Sequence, residues 1–165
     1  MKPAIATRIA TGCLLATLGA FSYTGAAVAA GSHDHGSAAA MLKLNNGAKW
    51  ETDDALRSGM EAIRSEIAQA LPAVHAKRYA AAQYEALGQA VEQQLAYIVQ
   101  NCKLTPEADE VLHGVIAEIG KGVDVVAGRK AIDDRSRGVV HLVRALDDYG
   151  TYFAHPGWEH IETGH

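Results

Sequence analysis

After residue 52, apolar residues recur every three or four positions along most of the chain, which is the spacing of one face of an α-helix. Four such stripes can be followed, and glycine, proline and asparagine separate them. No segment alternates apolar and polar residues as a half-buried strand does. The pattern predicts an all-α fold. Four helices joined by short loops predict an antiparallel up-down-up-down four-helix bundle.

Capping residues and proline set the ends of the four segments. We predict helices from about residue 53 to 71, about 75 to 101, 106 to about 127, and about 130 to 154. Thr52 or Asp53 can cap the first helix and Thr105 the third, with Pro106 suited to the first helical position. Asn45-Asn46-Gly47 predicts a turn, and Trp50 is expected to anchor the segment before the first helix.

The N-terminal residues 1–30 have the composition of a secretory signal peptide. Lys2 and Arg8 give a basic start, residues 12–21 are apolar, and small residues end the segment at Ala30. We predict export, most simply to a bacterial periplasm, with cleavage after Ala29 or Ala30. No other apolar run is long enough to cross a bilayer, so no membrane insertion is expected after signal removal.

The remainder divides into an arm and a domain. Residues 31–41 are small, polar and unpatterned, and they predict a disordered arm that contains His33 and His35. Residues 42–165 are predicted to form the four-helix bundle domain with an irregular C-terminal tail.

The net charge of the chain and the lack of catalytic motifs limit the classes of function that we predict. The net charge is −4, and loss of Lys2 and Arg8 leaves 13 basic and 19 acidic residues, a net −6. This argues against nucleic acid or an anionic membrane as the partner. No nucleophile–base pair, paired inward carboxylates or phosphate loop is evident, so we predict a protein that is not an enzyme. A metal ion is the predicted partner, and a homodimer is left open.

Four soft donors are predicted to meet at one end of the bundle. Cys102, the single cysteine outside the signal peptide, closes the second helix, and alternating helix directions bring Met60, His113 and His155 to the same end. Thiol, thioether and imidazole ligands suit copper(I) or zinc. The sequence therefore predicts a periplasmic protein that sequesters or delivers copper. The alternative for each residue is structural: a buried cysteine, a core methionine, a His113–Asp109 pair and a polar histidine at a helix end.

A second metal site is predicted at the N-terminus. If cleavage follows Ala30, the mature chain begins Gly31-Ser32-His33, and its amine, two backbone amides and third-position imidazole form a square-planar site for Cu(II) or Ni(II). His35 adds a nearby donor. If cleavage follows Ala29, this site is lost.

Three stretches carry a resemblance to a known family: residues 49–63, the Asn-Cys-Lys-Leu hairpin at 101–104, and the Tyr-Phe-Ala-His-Pro-Gly-Trp run at 152–158. They look like a small family of exported proteobacterial proteins labelled DnrO-like, and the similarity spans nearly all of the mature chain. The resemblance implies export and the fold. The label carries no established activity, so it implies little about function.

The chain is also distantly similar to cytochrome b562, a periplasmic four-helix bundle that holds haem b with a methionine early in its first helix and a histidine near the end of its fourth. That resemblance implies Met60 and His155 as haem ligands in an electron-transfer or gas-binding protein. His155 departs from the pattern because Pro156 follows it, and the Cys-x-x-Cys-His attachment signature is absent. A third alternative is an interaction module, with Cys102 in the core and the His-Pro-Gly-Trp loop docking a partner.

Overall fold

The computed structural model describes residues 41–162, which belong to one compact unit. They form four α-helices: α1 Asp54–His75, α2 Ala81–Asn101, α3 Pro106–Val126 and α4 Ser136–Tyr152. Within these residues the only β-type pairing is two isolated bridges, Asn45–Ala48 and Trp50–Phe153. The all-α class and the number of predicted helices are confirmed. The predicted signal peptide, and the predicted arm up to Ala40, lie outside the described residues.

The four helices enclose one apolar core. α1 packs against α2 and α4, and α3 packs against α2 and α4. The apolar stripe predicted for α1 is the part of the core that this helix supplies, since Leu56, Met60, Ile63 and Ile67 are all fully buried. No charged side chain between residues 41 and 162 is fully buried. None of the helices described in this range is long and apolar enough to cross a membrane.

The predicted boundary between the first two helices is wrong. α1 does not stop at Leu71 but runs through Pro72 to His75. Pro72 lies in the last turn and has no N–H to donate to the helical hydrogen bonds. Its carbonyl still accepts a hydrogen bond from the Ala76 N–H at 3.1 Å, so the helix continues past it. The chain then turns at Lys77, which has a φ of 53°, so α2 begins only at Ala81.

The predicted start of the fourth helix is also wrong. α4 begins at Ser136 rather than near residue 130. The Asp134 carboxylate accepts hydrogen bonds from the Ser136 N–H at 3.0 Å and the Ser136 hydroxyl at 2.6 Å. Such a local side-chain bond favours a turn over a helix. Ile132, which the sequence pattern placed in the stripe, lies in the loop and is 37% exposed.

The predicted caps and the turn are confirmed. The Asp53 carboxylate accepts from the Leu56 N–H at 2.7 Å, and the Thr105 hydroxyl accepts from the Ala108 N–H at 3.3 Å. Asn45 and Ala48 exchange two backbone bonds of 2.9 Å around the predicted turn. Trp50 is buried and donates from Nε1 to the Lys43 carbonyl at 2.7 Å, so it anchors the segment as expected.

The segments before α1 and after α4 are bonded to each other. The Trp50 N–H donates to the Tyr152 carbonyl, and the Ala154 N–H donates to the Trp50 carbonyl, both at 2.8 Å. The Thr52 hydroxyl adds a bond to the Ala154 carbonyl at 2.6 Å. These bonds bring the tail that follows α4, including His155, to the beginning of α1.

Candidate metal centre beside Cys102

The carboxylate of Asp53 links the α2–α3 loop to the first turn of α1. Cys102 caps the end of α2, and its N–H donates to the Ile98 carbonyl at 2.8 Å. The next residue, Lys103, donates its N–H to Asp53 Oδ2 at 2.5 Å. Because Asp53 also caps α1 with Oδ1, a single side chain fixes both elements that flank the thiol.

The environment of Cys102 keeps its thiol protonated. Burial and the neighbouring carboxylates of Asp53 and Asp109 raise the pKa of the thiol to about 12. Burial acts to raise the pKa of Asp53 as well, but hydrogen bonds from the Leu56 and Lys103 N–H groups outweigh it and hold that pKa below its usual value. Asp53 is therefore ionised at neutral pH, and a ligand that needs the thiolate must displace the proton of Cys102.

Cys102 and His113 line the same cavity. Its volume is about 240 Å³, and its other walls come from Ile98, Val99, Asp109, Leu112 and Ile116. The Nδ1 atom of His113 lies 2.8 Å from the Asp109 carbonyl oxygen and 3.5 Å from Asp109 Oδ2. The predicted His113–Asp109 contact is thus present, and it leaves Nε2 as the ring nitrogen available to a ligand.

Met60 is placed in the core. It is fully buried in the apolar cluster between the helices. A thioether in this position packs as other core methionines do. Its role as a ligand stays a prediction.

His155 is held by an aromatic cluster at the end of α4. Its Nδ1 lies 3.0 Å from the hydroxyl of Tyr149, a fully buried side chain. Its ring also packs against Trp158, with the ring centroids 5.0 Å apart. Burial lowers the pKa of His155. The charges of Arg57 and Arg64 lower this pKa further, whereas the charge of Glu61 raises it. His155 therefore has a hydrogen-bond role at the bundle end.

The other predicted donors do not complete a metal site in the described residues. His33 and His35 lie outside them. Between residues 41 and 162 no group of three or more His, Cys, Asp or Glu side chains is arranged to hold a metal ion. Two of the four predicted donors, Cys102 and His113, line one cavity, and the set of four stays a prediction.

The sequence did not lead us to predict that the carboxylates of Asp53 and Asp109 raise the pKa of the Cys102 thiol. Asp53 was recognised as a cap, but its second oxygen bonds to residue 103, fifty positions later in the chain. Asp109 was recognised as a partner of His113, but not as a neighbour of Cys102. One signal was available, since Asp109 and His113 are four residues apart on one helix face and Cys102 is the cap of the preceding helix.

Comparison of the chain with protein-family models, with curated proteins and with solved structures found no match.

Proposed function

We propose that this chain is a non-enzymatic, exported copper-binding protein that holds copper(I) between Cys102 and His113. The observation that carries the proposal is their position on one cavity of about 240 Å³. Sequestration or delivery of the ion is the proposed role. Periplasmic localisation is proposed from the signal-like residues 1–30, and the resemblance to exported DnrO-like proteins supports it.

Copper(I) suits this pair better than harder ions do. A thiolate is a soft ligand and selects copper(I) or zinc over magnesium or calcium, which prefer oxygen. Structural zinc sites usually take four protein ligands, and no such group is found between residues 41 and 162. Copper(I) accepts two ligands in a near-linear arrangement, which one thiolate and one imidazole can supply.

The raised pKa of Cys102 has a direct consequence for binding. With a pKa of about 12, the free thiol carries its proton at neutral pH, so binding of one copper ion at Cys102 releases close to one proton. Binding therefore strengthens as pH rises. Asp53 and Asp109 add negative charge beside the bound cation, which offsets part of the cost of losing the proton.

The bundle topology is part of this proposal. We propose the antiparallel up-down-up-down arrangement, in which the α2–α3 loop, the beginning of α1 and the end of α4 share one end of the bundle. Contacts between opposite ends of neighbouring helices support it. Gly59 in the first turns of α1 faces Ile98 near the end of α2, and Gly88 of α2 faces Ala127 after α3.

The haem alternative has less support among the described residues. Met60 is fully buried by apolar side chains, and the ring of His155 packs against those of Tyr149 and Trp158. A haem between them requires these side chains to separate. The arm with His33 and His35 remains a proposed accessory site for Cu(II).

Titration with copper(I) against a competing chelator tests the proposal. We expect one tightly bound copper ion per full-length chain, loss of that ion in Cys102→Ser, and weaker binding in His113→Gln. His160→Gln is a matched control, because this histidine is held by Asp147 at 2.8 Å away from the cavity. His33→Gln with His35→Gln isolates the arm. Unchanged affinity and stoichiometry in Cys102→Ser would exclude the proposed centre.

A further inference from the structure

A second cavity, distinct from the Cys102 site, lies along α4. We call it the α4 groove, and its volume is about 420 Å³. This is within the range of roughly 300–1,000 Å³ that is typical of small-molecule sites. The groove is lined by one residue of α3, one of the α3–α4 loop and four of α4: Val125, Ile132, Arg137, Val140, His141 and Arg144.

The charge of the α4 groove is opposite to that of the protein. The whole chain has a net charge of −4, whereas the groove contains Arg137 and Arg144 and no acidic side chain. The two arginines are seven residues apart on α4, which places them two turns apart on the same face. A local positive site on an acidic protein attracts and orients an anion.

Neither arginine of the groove has an ion-pair partner among the described residues. Four other arginines in this range do form ion pairs: Arg57, Arg64, Arg129 and Arg135. Two nearby acidic groups are engaged by other side chains. Asp134 accepts from Ser136, and Glu118 lies 3.0 Å from His141 and 2.7 Å from Lys121. Two guanidinium groups therefore keep their donors free for a ligand.

The groove is apolar between its charges. Ile132 is 37% exposed and Val140 is 49% exposed, and both are among the few large apolar residues with such exposure in the described chain. Val125 extends this surface onto α3. A bound anion without an apolar part would leave these side chains in contact with water. A ligand that also has an apolar part would cover them, which is favourable.

We propose that the α4 groove binds a small amphipathic anion, namely a carboxylate joined to a short apolar chain. Arg137 and Arg144 hold the carboxylate through charge-assisted hydrogen bonds, for which the planar guanidinium is suited. Ile132, Val140 and Val125 cover the apolar chain. The site is independent of copper, so its failure would leave the Cys102 proposal intact.

Octanoate is the probe for this proposal, with octan-1-ol and octylammonium as neutral and cationic molecules of matched chain length. Full-length ¹⁵N-labelled protein is titrated with each while amide shifts are followed. We expect octanoate to shift the amides of residues 137–144 in a saturable way. Octanol should bind several-fold more weakly, and octylammonium should not shift these amides.

Substitutions of the two groove arginines test how much their charges contribute to octanoate binding. Arg137→Gln and Arg144→Gln should each weaken octanoate binding by up to about five-fold, the upper end of the range of exposed ion pairs. Arg144→Lys should retain most of the affinity. Arg78→Gln is the matched control, because Arg78 is an exposed arginine of the α1–α2 loop with no ion pair among the described residues. It removes the same charge and should leave binding unchanged.

Three results would overturn the proposal. They are no saturable shift at millimolar octanoate, equal binding of octanol and octanoate, and equal loss of affinity in Arg78→Gln and Arg144→Gln. Vesicles containing phosphatidylglycerol provide a fourth comparison. Binding to vesicles that depends on Arg144, without binding of free octanoate, would assign the groove to a membrane surface and reject the small-molecule site. Thermal unfolding of each variant confirms that it is folded.

Discussion

The hydroxyl of Tyr149 lies 3.0 Å from Nδ1 of His155, and this contact joins the last turns of α4 to the tail that follows it. Burial raises the pKa of Tyr149 well above its usual range, so the phenol is the donor. Burial lowers the pKa of His155, so the neutral imidazole is the acceptor. The bond therefore requires an uncharged histidine.

The first prediction concerns pH. Because the pKa of His155 is lower in the folded than in the unfolded chain, the unfolded chain binds more protons just below the ordinary histidine value of about 6.5. This contribution to stability is complete above that value and is lost as pH falls through the folded pKa. Denaturant unfolding between about pH 5 and 8 should show it, and His155→Gln should lose it. Equal profiles for His155→Gln and wild type would contradict the prediction.

The second prediction separates the charge of Asp53 from its cap. With its single amide oxygen, asparagine can keep the cap to the Leu56 N–H but leaves the Lys103 N–H without its acceptor, so Asp53→Asn should lower the pKa of the Cys102 thiol and cost about 1 kcal/mol of unfolding free energy. Asp53→Ala removes both acceptors, so it should lower the same pKa and cost about 1 kcal/mol more than Asp53→Asn. The pH dependence of iodoacetamide alkylation reports the thiol, and denaturant unfolding reports the cap. An unchanged alkylation profile in both variants would show that Asp53 does not control the thiol.

The third prediction uses two glycines with different surroundings. A Cβ on Gly138 of α4 would lie 2.9 Å from the Gly122 carbonyl oxygen and 2.9 Å from the Val125 Cβ, so Gly138→Ala should destabilise the protein by about 1–3 kcal/mol. A Cβ on Gly120 meets no atom within 4 Å, so Gly120→Ala should stabilise α3 by about 0.5–1 kcal/mol. Thermal unfolding distinguishes the two. Equal effects would mean that α3 and α4 do not approach as closely as described.

The fourth prediction concerns Arg135, which joins three parts of the fold. Its Nη1 donates to the Ala81 carbonyl and to Glu85 Oε1, both at 3.1 Å, and lies 3.5 Å from the Val126 carbonyl. All of these bonds depend on this one nitrogen, so Arg135→Met should cost about 1 kcal/mol. Arg129→Met is the control, since Arg129 is 47% exposed in its ion pairs with Glu92 and Asp124, and this variant should change stability by less than about 0.5 kcal/mol. Equal losses in the two variants would contradict the assigned role.

The apolar periodicity was sufficient to predict the four helices, because the stripes in the sequence largely coincide with the buried faces of the helices. Local signals also predicted the caps at Asp53 and Thr105, which depend only on residues three positions apart. The errors occurred where local rules compete. Pro72 is tolerated in a last helical turn, and Asp134 bonds to Ser136 in place of helix continuation.

The sequence by itself determined the helical class, the composition of the core faces and the soft chemistry of Cys102 and His113. The tertiary structure alone decided which of these side chains share a cavity, because contacts between helices depend on rotation and axial position, which a stripe of apolar residues does not specify. It also decided that carboxylates from α1 and α3 surround the thiol and raise its pKa. The burial of a side chain and the charges around it depend on residues far apart in the sequence, so the pKa of Cys102 could not be predicted from the residues next to it.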